Sequence, residues 1–246
     1  GGDWFPFVCS GNALNVDLQL NAIAFASSPP STFVWSATDN PNVSGESLAP
    51  QGSPFINDAL INNTPNSENV VYTITATSIA GGCVGPSWNI TVDVRPKPVL
   101  SSALNASLCS GTTTNLILDT NGISVGASSY NVVSRVIDPS LTPIIAEVVP
   151  AVGVTSNYLI SEIYQNTTNI PLTVVYTIAP FSISGCTGDS QPITITIEPE
   201  PVLAATLDAV VCSGSITGIT LSTNGVSVVA ASYNLNSVNS GGLVPG

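Results

Sequence analysis

A chain of tandem all-β sandwich domains is predicted by three observations: a period-two apolar pattern, long self-similar phrases, and scarce charge. In Val71-Tyr72-Thr73-Ile74-Thr75-Ala76-Thr77, and again in Ile193-Thr194-Ile195-Thr196-Ile197, apolar and hydroxyl-bearing side chains alternate. That alternation suits a strand with one face buried and one face wet. The apolar residues are mostly Val, Ile, Leu and Ala, interleaved with Thr, Ser and Asn. No capped helical period interrupts them.

The repeat sets the domain organisation. Three cysteines stand in one recurring phrase: Val8-Cys9-Ser10-Gly11, Leu108-Cys109-Ser110-Gly111 and Val211-Cys212-Ser213-Gly214. Val70-Val71-Tyr72-Thr73-Ile74 leads to Gly82-Cys83-Val84-Gly85, as Val174-Val175-Tyr176-Thr177-Ile178 leads to Gly185-Cys186-Thr187-Gly188. Thr120-Asn121-Gly122 returns as Thr223-Asn224-Gly225, and Ser129-Tyr130-Asn131 as Ser232-Tyr233-Asn234. A solenoid unit runs roughly 20–50 residues, so this longer period matches a whole immunoglobulin-like sandwich instead. The expected units are residues 1–96, residues 97–199, and the first part of a third at 200–246, within a longer protein. Asn-Gly at 121–122 and 224–225 suits a tight hairpin turn. Thr64-Pro65-Asn66 and Asp39-Asn40-Pro41-Asn42 mark longer loops.

Between units lie Arg95-Pro96-Lys97-Pro98 and Glu198-Pro199-Glu200-Pro201. Pro96, Pro98, Pro199 and Pro201 fix φ and favour an extended course, so these linkers are expected to be semi-rigid spacers with solvated charges.

Composition excludes several functions. The chain is 43% hydrophobic and only 7% charged, against roughly 25% charged in ordinary globular proteins. Hydroxyl and amide residues break every apolar stretch before the roughly 18 residues a spanning helix needs, so no direct membrane insertion is expected. Fifteen acidic residues against three basic ones give a net charge of −12. Arg95, Lys97 and Arg135 cannot build the basic patch that nucleic acid or an anionic membrane requires.

Five cysteines follow the repeat. Pairing Cys9 with Cys83 and Cys109 with Cys186 gives one disulfide per domain and is the economical arrangement, although spacing alone does not fix connectivity. Such a bridge contributes about 4 kcal/mol in the loop-entropy picture. Cys212 is then unpaired in this segment, with its partner beyond Gly246; an intermolecular bridge or reactive thiol is the alternative. Disulfides imply export, and no CxxC spacing or His supports zinc.

No catalytic constellation is legible, and neither a metal nor a cofactor is expected. The chain has no His, and its one Lys sits in a linker, so no serine has an activating base. Asp39 and Glu46 are the best carboxylate pair for acid–base work, and with Asn40 and Asn42 the best oxygen set for calcium, but they read as solvated loop acids. Asp119-Thr120-Asn121-Gly122 resembles an aspartic-protease phrase. The third unit has Ser222 in place of Asp119, so the carboxylate is dispensable and a turn explains it better. Trp4, Trp35 and Trp88 are the tryptophans. Trp35 is expected in the core near a disulfide rather than as a sugar-stacking platform. Asn42, Asn62, Asn89, Asn105 and Asn166 begin glycosylation sequons.

Together these phrases resemble the PKD-like repeats of very long Bacteroidota surface proteins, including gliding-motility adhesins. They are Val8 to Gly11, Phe33-Val34-Trp35-Ser36-Ala37 with the Asp39 to Gly45 loop, Val71 to Ile74, Gly81 to Gly85, and Arg95 to Val99. In the second unit Tyr130-Asn131-Val132-Val133-Ser134 replaces the Trp-bearing strand. The resemblance implies an Ig-like sandwich, type IX export, extracellular display as an adhesin or filament, no catalytic residues, and sequons left unused. The expected partners are other repeats of the chain, identical chains in a fibre, and surface polysaccharide. A carbohydrate-binding or spacer module of a secreted hydrolase is the alternative.

Overall fold

The structure is a computed structural model and describes residues 6–20 and 29–239; Trp4 lies outside them. The first unit contains β1 (Phe7–Cys9), β2 (Val16–Asp17), β3 (Ser31–Ala37), β4 (Val43–Ser44), β5 (Phe55–Ile56), β6 (Ile61–Asn62), β7 (Glu68–Ser78) and β8 (Trp88–Arg95). Its main sheet has the order β1-β8-β7-β3. β7 and β8 form an antiparallel hairpin, whereas β1 runs parallel to β8, with Cys9 opposite Arg95. The opposing layer is fragmentary, made of the pairs β2-β5 and β4-β6. Prolines 41, 50, 54 and 65 prevent long ladders there.

The second unit repeats the plan with β9 (Ala106–Cys109), β10 (Ala127–Ile137), β11 (Thr142–Ile145), β12 (Ala151–Val154), β13 (Ile163–Gln165), β14 (Leu172–Ser182) and β15 (Gln191–Glu198). The sheet order is β12-β10-β14-β15-β9, and β9 runs parallel to β15 with Cys109 opposite Glu198. Tyr130 and Val132 of β10 occupy the places of Phe33 and Trp35 of β3, each facing matching residues of β14 and β7.

The alternation read from sequence builds both cores. Val70, Tyr72 and Ile74 of β7 face inward beside Ile90, Val92 and Val94 of β8, and Leu18, Ile56 and Leu60 close the other side. Val174, Tyr176 and Ile178 pack likewise beside Ile193, Ile195 and Ile197, under Leu118, Leu159 and Tyr164. Each such side chain contributes about 1.5–3 kcal/mol when fully buried. On the outer face, Thr73 bonds Asn89 and Thr75 bonds Ser87 across the strands. Residues 199–239 form no strand, and one bridge, Leu203 to Thr223, orders their start.

Two sequons prove structural. Asn62 Nδ2 donates to the Asn66 and Val94 carbonyls at 2.6 and 2.8 Å. Asn166 Nδ2 donates to the Ile170 and Ile197 carbonyls, both at 2.8 Å. The threonine two residues on returns its hydroxyl to each asparagine's Oδ1, at 2.9 and 2.7 Å. Ser10 and Ser110 of the recurring Cys-Ser-Gly phrase accept the backbone N–H of Asn62 and Asn166. Gly11 and Gly111 then turn the chain at φ of 78° and 74°, a region open to glycine at little cost. The phrase therefore bolts the first strand to the loop beside the last one.

Removing the amide takes the donor from one buried carbonyl, Val94 or Ile197, at about 1–3 kcal/mol, while the exposed Asn66 and Ile170 carbonyls keep the threonine hydroxyl. Asn62→Ala and Asn166→Ala should therefore each cost about 1–3 kcal/mol in urea unfolding, while Asn63→Ala, on the exposed side of the same loop, should change stability by less than about 0.5 kcal/mol. Equal losses at Asn62 and Asn63 would refute the bolt.

Candidate functional site at the inter-unit junction

The cysteine pairing departs from the in-unit expectation. Cys9 is bonded to Cys186, with Cα atoms 5.6 Å apart and 177 residues between them in sequence, while Cys83, Cys109 and Cys212 are free and exposed. Strand direction is the reason. Cys9 faces Arg95 at the far end of β8, whereas Cys83 lies in the turn before β8 begins. Eight residues of strand put these ends about 23 Å apart at the usual rise, beyond any disulfide. Cys109 and Cys186 are separated in the same way by β15. Stacked head to tail, the end of unit 1 that carries Cys9 meets the β14–β15 turn of unit 2.

That turn lies along the linker. Ser182 N–H donates to the Cys186 carbonyl at 2.9 Å, and the Ser182 hydroxyl accepts the Cys186 N–H at 3.2 Å, fixing a tight loop. Arg95 Nη1 donates to the Ser184 carbonyl at 2.9 Å; its Nε holds Asp93 Oδ2 at 2.8 Å, and its guanidinium lies over the Phe7 ring, 3.9 Å from the centroid. Lys97 Nζ reaches Asp189 Oδ1 at 3.6 Å, a weak tie because Asp189 is 88% exposed. The first linker is thus packed rather than a solvated spacer: Pro96 and Pro98 are buried, whereas Pro199 is half-buried and Pro201 exposed. At Gly188 an added Cβ would overlap the Pro98 carbonyl oxygen, while at Gly85 the closest atom is 3.5 Å away.

The Asn-Gly turns belong to this junction rather than to strand hairpins. Asn121 N–H donates to the Val99 carbonyl, and its Oδ1 accepts the N–H of Ile123 and Ser124 at 3.0 and 2.8 Å. Ser124 Oγ accepts the Val99 N–H at 2.9 Å, so the turn clasps the chain leaving the linker. Asn224 and Ser227 repeat the clasp on Val202. Between units 1 and 2 lies a cleft of about 550 Å³ lined by Ser10, Asn62, Lys97, Asn121 and Asp189 among others, with no aromatic side chain among the described residues that line it.

The other residues singled out from sequence are not gathered into a reactive site. Glu46 Oε1 accepts the Asn40 N–H at 3.3 Å, and Glu68 accepts from the Asn40 and Asn42 side chains at 3.3 and 3.1 Å. The loop amides therefore bind Glu46 and, on β7, Glu68, and no group of three or more His, Cys, Asp or Glu side chains converges among the described residues. Trp35 is buried, as expected, with its Nε1 donating to the Ser53 carbonyl and its ring packed edge-on against Tyr72 at 5.7 Å. No disulfide lies beside it. Trp88 packs edge-on against Phe33 at 6.3 Å.

Sequence reasoning missed one charged cluster. Glu162 is fully buried, with Oε1 accepting from Arg135 Nη1 at 2.8 Å and the Glu147 N–H at 2.9 Å. Its Oε2 accepts from the Tyr164 and Tyr176 hydroxyls. Burial, with the adjoining carboxylate, pushes Tyr164 up to about 12 and Tyr176 far above the ordinary range. Unit 1 carries a smaller counterpart, in which Asp58 accepts from Tyr72 and Ser47. Four donors saturate Glu162, so the cluster pins core layers and leaves no carboxylate oxygen free for a substrate. The one signal in sequence was that Arg135 is the basic residue outside the linker.

The fold and the junction define a class: tandem Ig-like sandwiches, non-catalytic modules as a rule, joined by a disulfide that belongs to an oxidising setting. Models of the PKD-like domain match residues 6–98 and 106–201. The chain belongs to the PKD-like domain family. Among solved structures, the Bacteroides ovatus mixed-linkage glucan utilization locus protein SGBP-B, in complex with a mixed-linkage heptasaccharide, is 14% identical over 79% of this chain with a TM-score of 0.23; the chain spans 44% of it. Mouse clustered protocadherin PcdhgC3 EC1-3 is 10% identical over 89% of this chain and 77% of its own, with a TM-score of 0.26. Chicken CNTN1 FN1-FN3 is 15% identical over 77% of this chain and 64% of its own, with a TM-score of 0.23. No curated protein matches. No helix among the described residues is long and apolar enough to cross a membrane.

Two outcomes follow from these contacts. Gly188→Ala should loosen the junction, read as faster proteolysis of the 95–98 linker, whereas Gly85→Ala should leave cleavage unchanged; equal effects would contradict the close approach at Pro98. The second concerns pH. A tyrosine whose folded value is raised above its unfolded value of 10.0 stabilises fully below about pH 10, and this contribution is lost as pH rises toward 12. Alkaline titration should show tyrosinate absorbance from the buried tyrosines appearing together with loss of sheet circular dichroism. Titration of every tyrosine near pH 10 with the sheet intact would refute the burial argument.

Proposed function

We propose that the chain is a structural and adhesive stretch of a secreted bacterial cell-surface filament, serving attachment or gliding. The covalent bond between two folded units carries this reading. A disulfide inside a domain stabilises that domain, whereas Cys9–Cys186 restricts how one domain moves on the next. Its mechanical product is a stiff, extended chain. The packed linker acts in the same direction, because Pro96 and Pro98 lose both backbone freedom and solvent.

The resemblance of the recurring phrases to Bacteroidota surface repeats supports export by the type IX route and display outside the cell. Hydroxyl-rich outer faces suit lateral contact with identical chains or with surface polysaccharide, which we propose as partners alongside the chain's own repeats. A carbohydrate-binding module would ordinarily offer an exposed aromatic platform. Trp35 and Trp88 are instead used in packing, while Phe7, with Arg95 stacked on its ring, and Phe55 are partly exposed.

Imaging of the native protein should show an extended line of repeat-spaced beads. Small-angle scattering of the 246-residue chain should give a narrow distribution of inter-unit distances that broadens on reduction or in Cys9→Ser. A compact particle, or scattering unchanged by reduction, would count against a filament stiffened at its joints.

A further inference from the structure

The two faces that meet at the junction recur, uncovered, at the two ends of the pair. The face carrying Cys9 reappears at the end of unit 2. Cys109 stands opposite Glu198 as Cys9 stands opposite Arg95. Ser110 N–H donates to the Glu198 carbonyl at 3.0 Å, as Ser10 N–H donates to the Arg95 carbonyl at 2.8 Å. Cys9 is half-buried by its neighbour unit and Cys109 is exposed.

The hairpin face reappears at the start of unit 1. Ser78 N–H donates to the Cys83 carbonyl at 2.9 Å, and Gly85 N–H to the Ala76 carbonyl at 2.8 Å. Ser182 to Cys186 and Gly188 to Pro180 have the same partners and lengths. Cys186 and Gly188 are buried, whereas Cys83 is exposed and Gly85 half-buried. Ile79 and Val84, which flank the uncovered turn, are 67% and 71% exposed.

The chain leaving unit 2 also starts along the path that led from unit 1 into unit 2. Leu203 bridges Thr223 as Leu100 bridges Thr120, and Ser227 Oγ accepts the Val202 N–H as Ser124 Oγ accepts that of Val99. A third unit built on this start, docked on unit 2 as unit 2 is docked on unit 1, repeats the junction. Its end hairpin then falls on Cys109.

We infer that the disulfide is a running inter-unit stitch, in which the opening cysteine of each unit bonds the end-hairpin cysteine of the unit that follows. Cys109 takes the hairpin cysteine of the next unit of the same chain, about 177 residues further on, as Cys186 is from Cys9. Cys83 takes the opening cysteine of the preceding unit, and Cys212 pairs with the unit after its own. Glu198 and Glu200, which accept from Ser107 and Gln165 within unit 2, leave the docking at Cys109 to the backbone and the sulfur bond. Each stitch forms by oxidation of two thiols with loss of two protons and two electrons. One thiolate attacks a disulfide oxidant of the thiol–disulfide oxidoreductase class, and the second thiolate displaces the reduced oxidant. This connectivity rests on geometry and holds whether or not the filament serves adhesion.

The test is disulfide mapping of the full protein taken from the cells that make it, alkylated before digestion without reductant and read by mass spectrometry. Cys109 should be found linked to a cysteine about 177 residues later, and Cys83 to one about 177 residues earlier. In a Cys109→Ser strain, that later cysteine alone should become alkylated. Alkylated Cys109 or Cys83 in the unmutated protein, or either one linked to any other cysteine, would overturn the inference.

Discussion

The parallel pairing of a unit's first strand with its last one governs the rest of this structure. Because β1 lies beside β8 in the same direction, the opening cysteine is carried to the exit end of its sandwich. The β7–β8 turn, with the second cysteine, stays at the entry end. The two sulfurs of one unit therefore face away from each other along the long axis. A short proline linker then brings an exit end against an entry end, and the cheapest bond available lies between neighbours.

That arrangement decides how the scarce charges are used. Arg95 and Lys97 sit where the hairpin of unit 2 comes down, one holding a backbone carbonyl and the other a loop carboxylate. The third basic residue, Arg135, neutralises the buried Glu162. None of the three is left to form a patch for an anionic partner. Interior polarity is satisfied mostly by uncharged groups: Asn62 and Asn166 bolt the chain ends, Tyr164 and Tyr176 hold the buried Glu162, and Tyr72 holds the half-buried Asp58. Function on this account resides in the joint and its repetition.

Much of the fold was legible because alternation is a local property. Val70, Tyr72 and Ile74, like Ile193, Ile195 and Ile197, lie inward as period two requires. The substitution of Tyr130 and Val132 for the tryptophan strand was also visible, since the repeat aligns them. Connectivity was not legible, because it depends on whether Cys9's strand runs with or against β8, and three residues carry no sign of direction. The Asn-Gly turns misled for a related reason: a turn at Asn121 is local, but its docking on Val99 is tertiary. The Glu162 cluster was hidden because its members lie on separate strands and loops, and only Arg135's isolation from the linker hinted at it.

The central claim is that the sulfur bond crosses the junction. Non-reducing proteolysis of the purified 246-residue chain, cut within the 95–98 linker and between other cysteines, tests it directly. The structure predicts that peptides containing Cys9 and Cys186 remain joined, with Cys83 and Cys109 alkylated. Recovery of Cys9 joined to Cys83, with Cys186 joined to Cys109, would contradict it.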